Sequence, residues 1–121
     1  MLTIRKEQMA VFAALEMKKF EDRVFAHLNK CFSKRCKVLG EPKVRETIQH
    51  GIKRAAAYRI SAERDVCKYV DLMMVFGPDF EQSSEHSWAS AILDDTTVKS
   101  PRRRMKRLFA AAKEHTKAQG A

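Results

Sequence analysis

Seven apolar residues near the N-terminus, Met9, Ala13, Met17, Phe20, Val24, Leu28 and Cys31, are spaced 4-4-3-4-4-3. That spacing keeps them on one stripe of a 3.6-residue helix and is incompatible with a strand, whose faces alternate every second residue. Phe12, Leu15 and Phe32 widen the stripe, and Lys18, Lys19, Glu21, Asp22, Arg23 and Lys30 supply a polar face. With Thr3 as a capping residue, the pattern predicts a helix over residues 3–33, spanning about 45 Å at 1.5 Å per residue.

The rest of the chain reads the same way. Gly40 ends the first unit, and Pro42 suits a first helical turn, where its missing amide costs nothing. Val44, Ile48, Ile52 and Ala55 carry a second helix to about Tyr58. Gly51 inside it is either a point of close helix approach or a tolerated weak spot costing about 1 kcal/mol. Ser61 is the expected cap of a third helix, with Glu63 and Asp65 favoured in its first turns and Val66, Tyr69, Val70, Met73, Met74 and Phe76 on a broad apolar face. Gly77 and Pro78 stop it. Residues 79–87 read as a loop, and Trp88, Ala91 and Ile92 mark a short fourth helix. Ser100 and Pro101 start a fifth, with Met105, Leu108, Phe109 and Ala112 on its apolar side. Arginines crowd its first turn, where the dipole disfavours cations, and the chain from Lys113 onward is expected to fray. No segment alternates with period two. The expected fold is all-α: a single-domain bundle of about five helices with a long N-terminal one, residues 1–98 forming the body and residues 99–121 a basic helix or tail attached to it.

At 121 residues the chain is one domain's worth, long enough for a core without a metal or disulfide staple. Three cysteines, Cys31, Cys36 and Cys67, are an odd, low count that fits a reducing compartment. No apolar run approaches the ~18 residues of a membrane span, and residues 1–9 do not form a secretory signal. The cytoplasm is the expected location, with no membrane association.

Little in the sequence carries chemistry. His27 and Cys31, four apart on a helix, could touch one metal ion, but Cys31 on the apolar stripe reads better as a small buried hydrophobe. His50, His86 and His115 stand in no nucleophile motif. The adjacent carboxylates Glu21–Asp22 and Asp94–Asp95 point to different helix faces, and the four glycines form no phosphate loop. The expectation is a non-enzyme without cofactor or metal.

Charge is the strongest compositional signal. The net charge is +9, but residues 41–82 are neutral and residues 83–98 are acidic. Residues 99–121 hold eight cations against Glu114 alone, a net of +7. Arg102, Arg103, Arg104, Lys106 and Arg107 form a cluster suited to phosphates or an acidic protein surface, although a solvated basic helix explains it as well. Trp88 and Phe80, beyond the Gly-Pro break, are either packing anchors or interface aromatics. Arg23, Arg64, Asp65 and Asp71 are candidates for structural ion pairs that fix the helix arrangement.

A longer string of residues adds a resemblance. Residues 20–23, His27 and Leu28, residues 51–58, Ile60, residues 63–66, residues 69–73, Phe76 and Gly77, Asp79 and Phe80, Trp88 and Ala89, Ile92, Leu93 and Asp94 together resemble a group of small, largely uncharacterised bacterial proteins encoded beside type VI secretion or related polymorphic-toxin genes. The likeness covers residues 9–95 and leaves the basic segment outside. It implies an accessory role and transfers no catalytic residue. The expected function is a chaperone or adaptor for a secreted toxin (effector), with that toxin or a spike protein as partner. The alternatives are an immunity protein that neutralises a cognate toxin, and a basic nucleic-acid-binding protein acting through residues 99–121, where weak attraction to polyanions is expected in any case.

Overall fold

A computed structural model describes the backbone of residues 6–120 and the side chains of residues 13–116. Thr3, expected to cap the first helix, and the side chains of Met9 and Phe12 lie outside the described residues. The fold is all-α, with six helices and no strand among the described residues: α1 (Lys6–Cys31), α2 (Ser33–Leu39), α3 (Glu41–Ala57), α4 (Glu63–Phe76), α5 (Ser87–Leu93) and α6 (Pro101–Gly120). Two short 3-10 turns, Phe80–Gln82 and Ser84–His86, join α4 to α5. The chain divides into two compact units, residues 1–45 and 46–121, the division falling inside α3.

In the first unit the stripe produces α1 as expected, and Phe20, Val24 and Leu28 are buried. Ala13, Met17 and Cys31, on the same stripe, are exposed. The predicted helix ends at Phe32, which leaves helical geometry at φ −129°, ψ 45°. The unexpected α2 then packs against α1. It carries only one buried residue, Cys36, so no apolar periodicity announces it. Gly40 ends it at φ 83°, its amide donating to the Cys36 carbonyl.

The second unit is built more tightly. Helix α3 closes with Arg59 in the left-handed region at φ 63°. The Arg59 amide donates to Ala56 O and the Ile60 amide to Ala55 O, the paired bonds of a Schellman cap, with Ile60 buried beyond it. Helix α4 starts one residue later than expected. Ala62, not Ser61, stands at its cap with no side-chain hydrogen bond, and the burden of the N-terminus falls on Glu63 and Asp65. Gly51 is the close approach of α3 to α4: a Cβ there would lie 2.7 Å from Val70 Cγ2 and 2.8 Å from Met73 Sδ. Residues 79–87, read as a loop, hold both 3-10 turns and bury Phe80, Glu81 and His86. Helix α6 packs against α4 and α5 through Met105, Leu108 and Ala112, and continues helical to Gly120 where fraying was expected.

Candidate functional site

The basic start of α6 is positioned by the loop before it. Asp95 Oδ1 accepts from both the amide (3.0 Å) and the hydroxyl of Thr97, and Asp95 Oδ2 lies 3.4 Å from an Arg107 guanidinium nitrogen. The Thr97 bonds, with help from Arg107, hold the Asp95 carboxyl below its usual range. Ser100 caps the helix, its hydroxyl oxygen accepting from the Arg103 amide at 3.3 Å and its carbonyl from the Arg104 amide at 3.1 Å.

Three arginines then fall in one turn, and the structure separates them. Arg104 turns inward, donating to Leu93 O at 2.9 Å and Tyr58 O at 3.0 Å. Those carbonyls stand at the C-terminal ends of α5 and α3, where helix carbonyls lack partners and the dipole favours a cation. Arg104, grouped by sequence with the exposed cations, is therefore a clasp between three helices. Arg102 and Arg103 remain exposed. Residues 97–100 with Arg103, Lys106 and Arg107 line a partly open concavity of about 700 Å³. Among the described residues, Lys99, Arg102, Arg103 and Lys106 have no anionic partner.

The aromatics expected as packing anchors or as interface residues sit elsewhere in this unit, and Phe80 is not at a surface. Phe80 is fully buried, with its ring centroid 5.4 Å from Tyr69 and 6.2 Å from Phe76, which places it in the core. Trp88 is half-buried, stacked on His115 at 4.4 Å and edge-on to Phe76 at 5.5 Å.

Of the expected ion-pair residues, Asp65 is buried in the first turn of α4, Arg64 is exposed, Asp71 is half-buried, and Arg23 lies over the Phe20 ring at 5.9 Å. Two other arginines, absent from the sequence reading, organise the structure. Arg54 donates to Glu81 Oε1 at 2.7 Å, and the Glu81 side chain has no solvent exposure. Burial pulls the Arg54 pKa down, but the bond and charge of Glu81 outweigh it and hold it above its usual value. Burial, and then Glu81, push the nearby Tyr69 hydroxyl far up. Glu81 and Tyr69 are buried and Arg54 is only 27% exposed, so the cluster ties α3 to the turn that carries Glu81. In the first unit Arg45 reaches Asp22 at 2.9 Å and Glu41 at 3.4 Å, and lies over the Phe25 ring at 4.5 Å. Their roles are not legible in local spacing, because Asp22 and Glu81 lie 23 and 27 residues from Arg45 and Arg54.

His27 Nδ1 and Cys31 Sγ lie 3.8 Å apart on α1, and Cys31 is exposed where a buried hydrophobe was expected. No helix among the described residues is long and apolar enough to cross a membrane. No family model, curated protein or solved structure matches the chain.

Proposed function

We propose that the chain is a non-catalytic accessory protein that binds another protein, serving as chaperone or loading adaptor for a secreted toxin. What supports this reading is apolar surface left uncovered in residues 1–45. Leu15 and Met17 on α1 are 57% and 49% exposed, and Val38 and Leu39 on α2 are 86% and 38% exposed. Each such side chain forgoes part of the about 1.5–3 kcal/mol that separates a fully exposed apolar side chain from a buried one. Exposed apolar groups on helices, methionine among them, suit the capture of an apolar segment of a partner. The resemblance supplies the kind of partner, and the surface supplies the means.

Co-expression with the product of a neighbouring toxin gene tests it. The expected outcome is a higher yield of soluble toxin and a complex that survives gel filtration. Separate elution with unchanged toxin yield would end the adaptor reading. Rescue of toxin-poisoned cells without any gain in toxin solubility would replace it with neutralisation.

A further inference from the structure

We propose that the concavity at the start of α6 is a binding site for adjacent phosphate groups, distinct from the apolar surface of residues 1–45. Four cations line it, Lys99, Arg103, Lys106 and Arg107, and only Arg107 has an anion within reach, Asp95 at 3.4 Å. Asp95 relieves their mutual repulsion only in part, and they lie before and within the first two turns of a 20-residue helix with no acidic residue in its first turn. A bound polyanion removes both penalties.

The walls are fixed before any ligand arrives. Asp95 ties down the loop through Thr97, Ser100 caps the helix, and Arg104 clasps it to the ends of α3 and α5. The backbone that carries the cations is therefore already in place, and binding has only their side chains to order.

The ligand chemistry follows from charge density and from what is missing. Four cations around one concavity of about 700 Å³ call for several negative charges a few ångströms apart. Linked phosphates provide this, each with oxygens that match guanidinium forks and ammonium groups. Carboxylates on a flexible peptide would have to be ordered one side chain at a time. The lining contains no aromatic residue on which a base could stack, so recognition is of phosphate and not of a base. The source is either a free polyphosphate compound or the backbone of a nucleic-acid strand.

Calorimetric titration of the full chain separates these possibilities, using tripolyphosphate, a short oligothymidylate and hexaglutamate as probes. We expect saturable one-to-one binding of tripolyphosphate that weakens as salt rises to about 200 mM. The double variant Arg103→Gln with Lys106→Gln should weaken it at least about tenfold, and Arg102→Gln, on the same turn but outside the lining, by less than about twofold. Circular dichroism verifies that these exposed variants stay folded. Tighter binding of tripolyphosphate than of the oligonucleotide identifies a free ligand, and the reverse order identifies a strand. The proposal is overturned by absence of saturable binding to either phosphate probe, by equal losses in the Arg102 and pocket variants, or by hexaglutamate binding as tightly as tripolyphosphate. None of these outcomes bears on toxin binding through residues 1–45.

Discussion

In residues 1–45 the organising cation, Arg45, is shared among three carboxylates: Asp22 and Glu41, whose side chains are 52% and 63% exposed, and the buried Glu21 at 3.8 Å. In residues 46–121 the organising cations reach inward: Arg54 to a Glu81 carboxylate with no exposure, and Arg104 to two helix-end carbonyls. The apolar residues divide in the same sense. Among the described residues, four of the five large apolar side chains that stand exposed, Leu15, Met17, Val38 and Leu39, belong to the first unit, and Val75 to the second. One unit keeps its interaction capacity outside. The other turns Arg54, Arg104 and Phe80 on itself and leaves the cations lining the concavity beside α6 largely unanswered.

The comparison breaks most easily at Arg54. Replacing it by Met strands the Glu81 carboxylate in the core, which should cost about 3–5 kcal/mol, whereas Arg45→Met should cost clearly less, because Lys18 stays 3.4 Å from Asp22 and 4.0 Å from Glu21. Urea unfolding followed by the fluorescence of Trp88, the single tryptophan, reports on the second unit. Circular dichroism reports on all the helices. A double variant, Arg54→Met with Glu81→Met, should recover much of the loss. If Arg45→Met is as damaging as Arg54→Met, the contrast between surface and interior pairing is wrong.

Within α6 the same contrast lies two residues apart. Arg104→Met removes two charge-assisted bonds and leaves two helix-end carbonyls without their donor, for an expected loss of about 2–4 kcal/mol. Arg102→Met should stay within about 0.5 kcal/mol of the parent. Equal melting temperatures for the two variants would remove Arg104 as a clasp and return it to the exposed cluster.

What the sequence disclosed follows from range. Helical class and the stops at Gly40 and Gly77 depend on neighbours within a turn or two, so periodicity and punctuation reveal them. Helix α2 was missed because one buried residue makes no period. Residues 80–82 and 84–86 were taken for loop because a 3-10 turn is too short to show one. The roles of Arg45, Arg54 and Arg104 are not legible in the sequence because each depends on a distant partner, Asp22, Glu81 and Tyr58 at 23, 27 and 46 residues. Phe80 and Trp88 could be named as aromatics after a break, but their burial depends on Tyr69, Phe76 and His115, and no spacing encodes that. For the basic pocket the composition was legible. The sorting of Arg104 inward and Arg103 outward required the ends of α3 and α5.

A smaller effect sharpens the packing side of the contrast. Gly51→Ala places a methyl 2.7 Å from Val70 Cγ2 and 2.8 Å from Met73 Sδ, so the Val70 and Met73 side chains, or the helices that carry them, must give way. Overpacking outweighs the gain in helix propensity, and we expect a net loss of about 1–2 kcal/mol by urea unfolding. A stabilised variant would show that the second unit is looser than its contacts indicate.

Acid separates the surface pair from the buried one more gently. The Arg45 hydrogen bond holds the Asp22 carboxyl below its ordinary value of 3.8. A depressed carboxylate stabilises the fold above its unfolded pKa, and that contribution disappears as pH falls through the folded pKa. Asp22→Asn should therefore be less stable than the parent at neutral pH, and the gap should close below pH 3.8. A gap that persists unchanged into acid would mean that Asp22 acts through packing and not through charge.

The smallest expected change in stability belongs to the surface that carries the proposed function. Leu15→Gln combined with Val38→Gln exchanges two exposed apolar side chains for polar ones of similar length. Neither residue is buried, so no cavity forms, and stability should stay within about 0.5 kcal/mol. If residues 1–45 hold a partner by apolar contact, the same variant should lose the toxin complex on gel filtration while its circular dichroism and melting curve match the parent. That pairing of a silent melting curve with a lost complex is what distinguishes a surface kept for a partner from one that is merely uncovered. Should the variant melt several degrees lower instead, Leu15 and Val38 support the first unit itself, and the partner's contact must be sought on other residues.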